Sequence, residues 1–294
     1  MFATVFGKTS GLFKRDENGK VLNEVSDFVT LDFMTNGTFT MKTDGTCGML
    51  FENDDKYYLC RRQDIKEKSR NFDTVMTNGH TTEIAGKQCF VSKMLRGSGK
   101  TERTVDVYIF MVNSDAGSES YGRPELEGNH MIGFTPILHD FSDDRHVLSA
   151  ICGQNGSNDL SLFTTEPNYT IVDNKIKISV GLKSAADILD SKKMITVEIM
   201  GNKISDKYNY KSEQHFVNPH GSIIIPSDFS PSSEQLTSIE KLHDWFTNKS
   251  NPFADSEGFV IHHDNSRVKC HRGYVGLEHT WTKTKSCSTE FFFN

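Results

Sequence analysis

Apolar and polar positions alternate in short runs along most of this chain. "KYYLCRR", "TVDVYIFMV", "NKIKISVGL", "MITVEIMG", "GSIIIP", "GFVIHH" and "SRVKCHR" are rich in β-branched and aromatic side chains and are set apart by Gly, Asn and Asp, which predicts strands joined by turns. Two stretches carry helical spacing instead. "KSAADILDSKKM" at 183–194 is compatible with a short helix, and at 232–248 Ser232 and Gln235 have capping-box spacing ahead of Leu236, Ile239, Leu242, Trp245 and Phe246 on one apolar face. That face reads as core packing. Strands and helices mix without regular βαβ alternation, so the expected class is α+β with largely antiparallel sheets flanked by helices. "TFTM" at 38–41 alternates as a half-buried strand does, and the Asp44-Gly45 pair that follows is a strong hairpin signal. Taken alone, those signals make Lys42 a solvated charge at a strand edge.

No internal repeat or long low-complexity linker divides the chain, so one domain is expected over 1–294. The segment 113–130, "NSDAGSESYGRPELEGNH", reads as a polar loop or lid. About twenty residues follow "VKCHRGYVG", too few for an added C-terminal barrel. A chain of 294 residues with 36% apolar and 24% charged residues can bury a full core without staples. No stretch approaches the roughly 18 apolar residues of a membrane span, and "MFATVFGKTS" lacks the pattern of an export signal. The six cysteines are scattered with no C-x-x-C pair, against a disulfide framework or a cysteine zinc site. An intracellular protein of cytoplasm or nucleus, with no membrane partner and no obligate protein partner, is expected.

The formal charge of −6 does not advertise a nucleic-acid binder. Locally the balance reverses: basic side chains outnumber acidic ones in "RRQDIKEKSR" at 61–70 and "KMLRGSGKTER" at 93–103, and "RVKCHR" at 267–272 adds three more. "LRGSGKT" ends like a phosphate-binding P-loop, but Met94 stands where that pattern needs its first glycine. His262, His263, His271 and His279 match no zinc spacing.

A wider order changes the reading of Lys42. The chain carries K-x-D-G at Lys42, then Arg62 at the end of "YYLCRR", Glu198 inside "TVEIMG", Glu257 opening "EGFVIHH", and Lys269 about a dozen residues later in "RVKCHR". With "GFTP", "NPHGS", "LHDWF" and "RVKCHRGYVGL", this order resembles the covalent nucleotidyltransferases, the superfamily of DNA ligases, RNA ligases and mRNA capping enzymes. Within it, "KTDGTC" combined with "NPHG" and "VKCHRG" is most similar to the ATP-dependent 5'-to-3' RNA ligase family of vertebrates, with viral and other relatives. The likeness runs from about residue 30 to 281.

The resemblance implies the nucleotidyltransferase (ligase adenylation, ATP-grasp-like) fold and a role for each matched residue. Lys42 would take AMP as a phosphoramidate, Arg62 would contact the nucleotide sugar or phosphates, Glu198 the ribose hydroxyls, Glu257 a catalytic Mg2+ or Mn2+, and Lys269 the α-phosphate. The implied partner is RNA with 5'-phosphate and 3'-hydroxyl ends, the implied task RNA repair, and Arg61, Lys66, Lys100, His271 and Arg272 are the candidate RNA or phosphate contacts. Two positions depart from the superfamily: His271 stands where a second basic residue is common, with Arg272 beside it to compensate, and Met41 stands where an acidic residue often reads the adenine. A GTP-dependent capping guanylyltransferase and a non-catalytic RNA- or nucleotide-binding module stay open as alternatives. The chemistry demands a neutral amine, and a free lysine of pKa near 10.4 is neutral to roughly one part in a thousand at pH 7.4. Burial and nearby cations are the means to change that.

Overall fold

The structure, a computed structural model, describes residues 9–111, 124, 126, 129–153, 159–264, 266–277 and 289–293. The polar segment 113–130 lies almost wholly outside the described residues. The protein is a strand-rich α+β structure. Thirteen of its strands form one large sheet, and Ser10–Gly11, Ser266–His271, Gly258–His263 and Thr38–Lys42 lie side by side in a second sheet of four. At the middle of the large sheet, Phe216–Pro219, Met194–Met200, Thr46–Asn53, Lys56–Lys66 and His130–Pro136 are neighbours, each pair antiparallel. Parallel pairs occur toward one side, where Lys175–Ser184 meets Thr289–Phe293. No helix among the described residues is long and apolar enough to cross a membrane.

The four-stranded sheet is built by strict alternation. Phe39, Met41, Phe259, Ile261, Val268 and Cys270 point to one face and are buried there. That face packs on the helix Ile239–Thr247, whose Trp245 and Phe246 rings lie 5.3 and 6.1 Å from the Phe259 ring. Each such side chain contributes about 1.5–3 kcal/mol by leaving water. The expected capping box is present and reciprocal: the Gln235 N–H donates to Ser232 Oγ at 3.2 Å and the Ser232 N–H to Gln235 Oε1 at 3.0 Å. It opens only one 3-10 turn, Gln235–Thr237. Ser238 then caps the main helix by accepting from the Lys241 N–H.

Three local expectations are corrected. Thr38–Lys42 and Thr46–Asn53 are not a hairpin: residues 43–45 carry the chain from the small sheet into the large one, because each strand has better-matched partners elsewhere. "GSIIIP" makes a single bridge, Ile224 to Thr40, with Ile223 and Ile225 buried and Ile224 half exposed. It covers the edge of the small sheet without extending it. The helix expected over 183–194 shrinks to Ala185–Leu189, ended by Asp190 in the left-handed region.

His215 and His262 are buried among this framework, and burial holds both rings down to about 4, helped by His146 and Lys203 at the first and by Arg267 and His220 at the second. The unfolded chain therefore binds protons below its ordinary 6.5 that the folded one refuses until about 4. Stability is expected to fall as pH drops through that window. Urea midpoints measured from pH 7 to pH 4 check this, and a flat profile above pH 5 would remove the neutral-histidine assignment.

Candidate active site

The opposite face of the small sheet looks onto the large one. Register places Lys42 beside Gly258 and Gly258 beside His271; one row further along, Thr40 faces Val260 and Val260 faces Lys269; a third row holds Thr38, His262 and Arg267. The alternation that buries Val268 and Cys270 thus aims Arg267, Lys269 and His271 at the other side. The large sheet answers with Cys47, Arg62 and Glu198. Between the two lies a cavity of about 240 Å³ lined by these side chains with Lys42, Lys269 and Arg267. A second cavity of about 400 Å³ opens beyond Lys42, lined by Arg15, Glu257, His271 and Tyr274. Lys42 and Lys269 line both.

The K-x-D-G turn is what joins the two walls. Thr43 is buried and accepts from Asn218 Nδ2 at 3.2 Å; Asn218 in turn accepts from Thr165 and Ser222 hydroxyls at 2.7 and 2.8 Å. Asp44 accepts from the Ser205 hydroxyl, and burial pushes its carboxyl above the usual range despite that bond. Gly45 presses on the strand that carries Glu198: an added Cβ would sit 2.4 Å from the Ile199 carbonyl oxygen. Gly45→Ala is expected to destabilise the fold by about 1–3 kcal/mol, read as a lower urea midpoint, and to weaken any function of Lys42 alongside.

"NPHG" is local machinery of the same kind. Asn218 anchors Thr43, Pro219 pairs with Val197, and Gly221, at φ +83°, supplies the left-handed residue of the turn. His220 Nε2 lies 3.0 Å from Glu198 Oε2. His220, Asn218 and Arg267 were named in no role from sequence, although "NPHG" had marked the first two as a motif. Arg15, from the strand Phe13–Arg15, is a further cation of the second cavity that no spacing announced.

Glu257 is 7% exposed and holds two partners. Lys42 Nζ donates to its Oε2. His271 Nδ1 accepts from the Gly273 N–H at 2.9 Å, which leaves the ring proton on Nε2, 3.2 Å from Glu257 Oε1. Burial works to raise the Glu257 carboxyl, but the His271 hydrogen bond and the Lys42 charge outweigh it and hold the group below its ordinary range. Lys269 is lowered by burial first and by the Lys42 charge second, with Glu257 opposing.

The other expected residues divide between the site and the rest of the fold. Arg62 reaches the cavity while its Nε donates to Asp64 at 2.7 Å. Arg61, one residue earlier on the strand, reaches the Asp143 carbonyl and Asp144 instead, and with Lys66 and Arg96 it lines a separate polar cavity of about 280 Å³. Lys100 sits exposed in the 3-10 turn Gly99–Thr101. Arg272 is buried, donating to the Ser256 carbonyl at 3.0 Å with its guanidinium over the Phe246 ring. It is committed to packing the helix against the small sheet. His271, in contrast, faces the second cavity. No protein-family model matches this chain, and no curated protein matches it.

Proposed function

We propose that this protein is an ATP-dependent RNA ligase with the covalent nucleotidyltransferase fold, in which Lys42 carries AMP between ATP and the 5'-phosphate of an RNA end. The observation that carries the reading is the convergence of Lys42, Glu198, Glu257 and Lys269 on two adjoining cavities, although the chain separates the first from the last by most of its length. Lys42 first releases a proton to solvent; its Nζ lone pair then attacks the α-phosphorus, a P–N bond forms as the P–O bond to pyrophosphate breaks, and a second N–H proton leaves to solvent. AMP then passes to an RNA 5'-phosphate, and a 3'-hydroxyl displaces it to seal the strand. Such transfers need charge neutralisation more than covalent help, and Lys269, Arg62, Arg15 and Arg267 supply it around the nucleophile. Glu198, steadied by His220, suits a sugar hydroxyl.

Glu257 fits a hard dication: Mg2+ takes one carboxylate together with water and phosphate oxygens, and Glu257 borders the larger cavity where a triphosphate has room. When bound, the ion supplies charge compensation for the phosphates. Glu257 Oε2, the oxygen that holds Lys42 Nζ, is also one that would hold such an ion, so the same carboxylate would position both the amine and the metal. The cavity lined by Arg61 and Lys66 is the proposed grip on the RNA backbone.

Incubation with α-labelled ATP or GTP and Mg2+, followed by denaturation, tests the reading. Label retained from ATP supports it. Label from GTP alone replaces it with a guanylyltransferase, and no label from either removes the covalent step.

A further inference from the structure

Cys47 and Glu198 are directly opposite one another on adjacent antiparallel strands, so their side chains leave the same face as close neighbours. On the next strand Asn218 is the partner of Glu198, and His220, two residues on, returns to that face. The Cys47 sulfur, a Glu198 oxygen and a His220 ring nitrogen all lie within 4.8 Å of one another. Elsewhere among the described residues no other group of three such ligands comes as close.

We propose that Cys47, Glu198 and His220 form a binding site for a thiophilic divalent cation of the zinc type, distinct in chemistry from the hard-cation position at Glu257. A tetrahedral ion with a sulfur at about 2.3 Å and nitrogen or oxygen at about 2.0–2.2 Å holds its ligand atoms roughly 3.3–3.6 Å apart. The existing 3.0 Å between His220 Nε2 and Glu198 Oε2 and the 4.8 Å limit on the whole triad bracket that span, so small side-chain rotations suffice. The backbones need not move, because two ligands ride on central strands and the third on the turn anchored through Asn218. Sulfur with imidazole and one carboxylate selects Zn2+ or Co2+ over Mg2+. Three protein ligands leave the fourth position to water, and His220, 29% exposed at its side chain, faces the cavity through which an ion enters.

Charge sets the terms. Arg62 and Arg267 both act on the Cys47 sulfur and oppose a cation. On binding, the S–H bond breaks, its proton goes to solvent and a metal–sulfur bond forms, so a thiolate and a carboxylate together cancel the charge of the ion and the guanidiniums face a neutral cluster. Without metal, burial, helped by the Glu198 charge, pushes the thiol up to about 12, so it stays protonated in the resting protein. Metal at this triad occupies Glu198, so under the nucleotide reading it competes with ATP.

Co2+ is the spectroscopic probe for the full-length chain. One Co2+ per chain is expected to give a thiolate charge-transfer band with tetrahedral d–d bands, displaced by Zn2+ and unaffected by millimolar Mg2+. Cys47→Ser should abolish the charge-transfer band, and His220→Gln, a substitution at a partly exposed turn position, should weaken binding at least about tenfold while its urea midpoint stays at the wild-type value. Absence of the band in the wild type, or its persistence in Cys47→Ser, overturns the site. ATP titrated against the cobalt form separates this inference from the functional reading on which only the competition rests: a cobalt site that behaves as described but ignores ATP stands, while the assignment of Glu198 to a nucleotide falls.

Discussion

Replacing Lys42 by Ala should reduce protein-bound label from α-labelled ATP to background, a loss of at least about 10³-fold, or roughly 4 kcal/mol in the transfer step. Among the described residues no other amine has the same placement. Lys269 lines both cavities too, but its partner row is Thr40 and Val260, and under the proposed function it would hold charge beside the nucleophile. Lys42 alone occupies the end of the strand at which the chain leaves one sheet for the other, with Glu257 receiving its proton-bearing Nζ. Lys42→Arg sharpens the test, because it keeps the cation and its carboxylate partner while removing a readily deprotonated amine. Both variants should fold, since the Lys42 side chain is a quarter exposed and buries no apolar core. Mass spectrometry of the nucleotide-treated wild type should place an AMP adduct at residue 42; an adduct on any other side chain, or labelling preserved in Lys42→Arg, would reject the nucleophile.

What the sequence disclosed here was periodicity and residue order. Alternation in "GFVIHH" and "SRVKCHR" was enough to predict two strands and, through the buried Phe259, Ile261, Val268 and Cys270, their core face. The capping box at Ser232 was legible because it is local, its two hydrogen bonds spanning three residues. Partnering was not legible. An Asp-Gly pair after an alternating strand signals a hairpin whether the next strand folds back or crosses to another sheet, and what decides is the fit of Thr38–Lys42 against Gly258–His263, more than two hundred residues away. The same holds for the site. K-x-D-G, Glu198, Glu257 and Lys269 could be chosen because their order resembles that of the covalent nucleotidyltransferases, but His220 beside Glu198, Asn218 beneath Thr43 and Arg15 in the second cavity depend on strand pairings that no spacing encodes. Neighbouring arginines were equally opaque: Arg61 and Arg62 look alike in a basic run, and only the strand's two-residue period sends one to Asp144 and the other to the cavity. Arg272 likewise stood among basic residues yet serves the packing of Phe246.

Glu257→Gln should lower the rate of Lys42 labelling by about 10²–10³-fold at saturating ATP, while leaving the fold close to wild-type stability. The isosteric amide can still accept the His271 Nε2 proton at the position of Oε1, 3.2 Å away, so the buried end keeps a hydrogen bond. What it loses is the charge that receives Lys42 and that a hard dication requires. Glu257→Ala goes further: it removes the acceptor of His271 and the partner of Lys42 together, in a place where the carboxylate is 7% exposed, and adds a stability loss of about 1–3 kcal/mol from unsatisfied buried polar groups. The two substitutions therefore separate roles that a single variant merges. If Glu257 acts through its charge, Gln and Ala should be equally slow in labelling and differ only in urea midpoint, and raising Mg2+ or Mn2+ should recover part of the Gln rate. If it acts only by propping His271, Gln should label nearly as fast as wild type, and the place of Glu257 beside the nucleophile would have to be reassigned to structure.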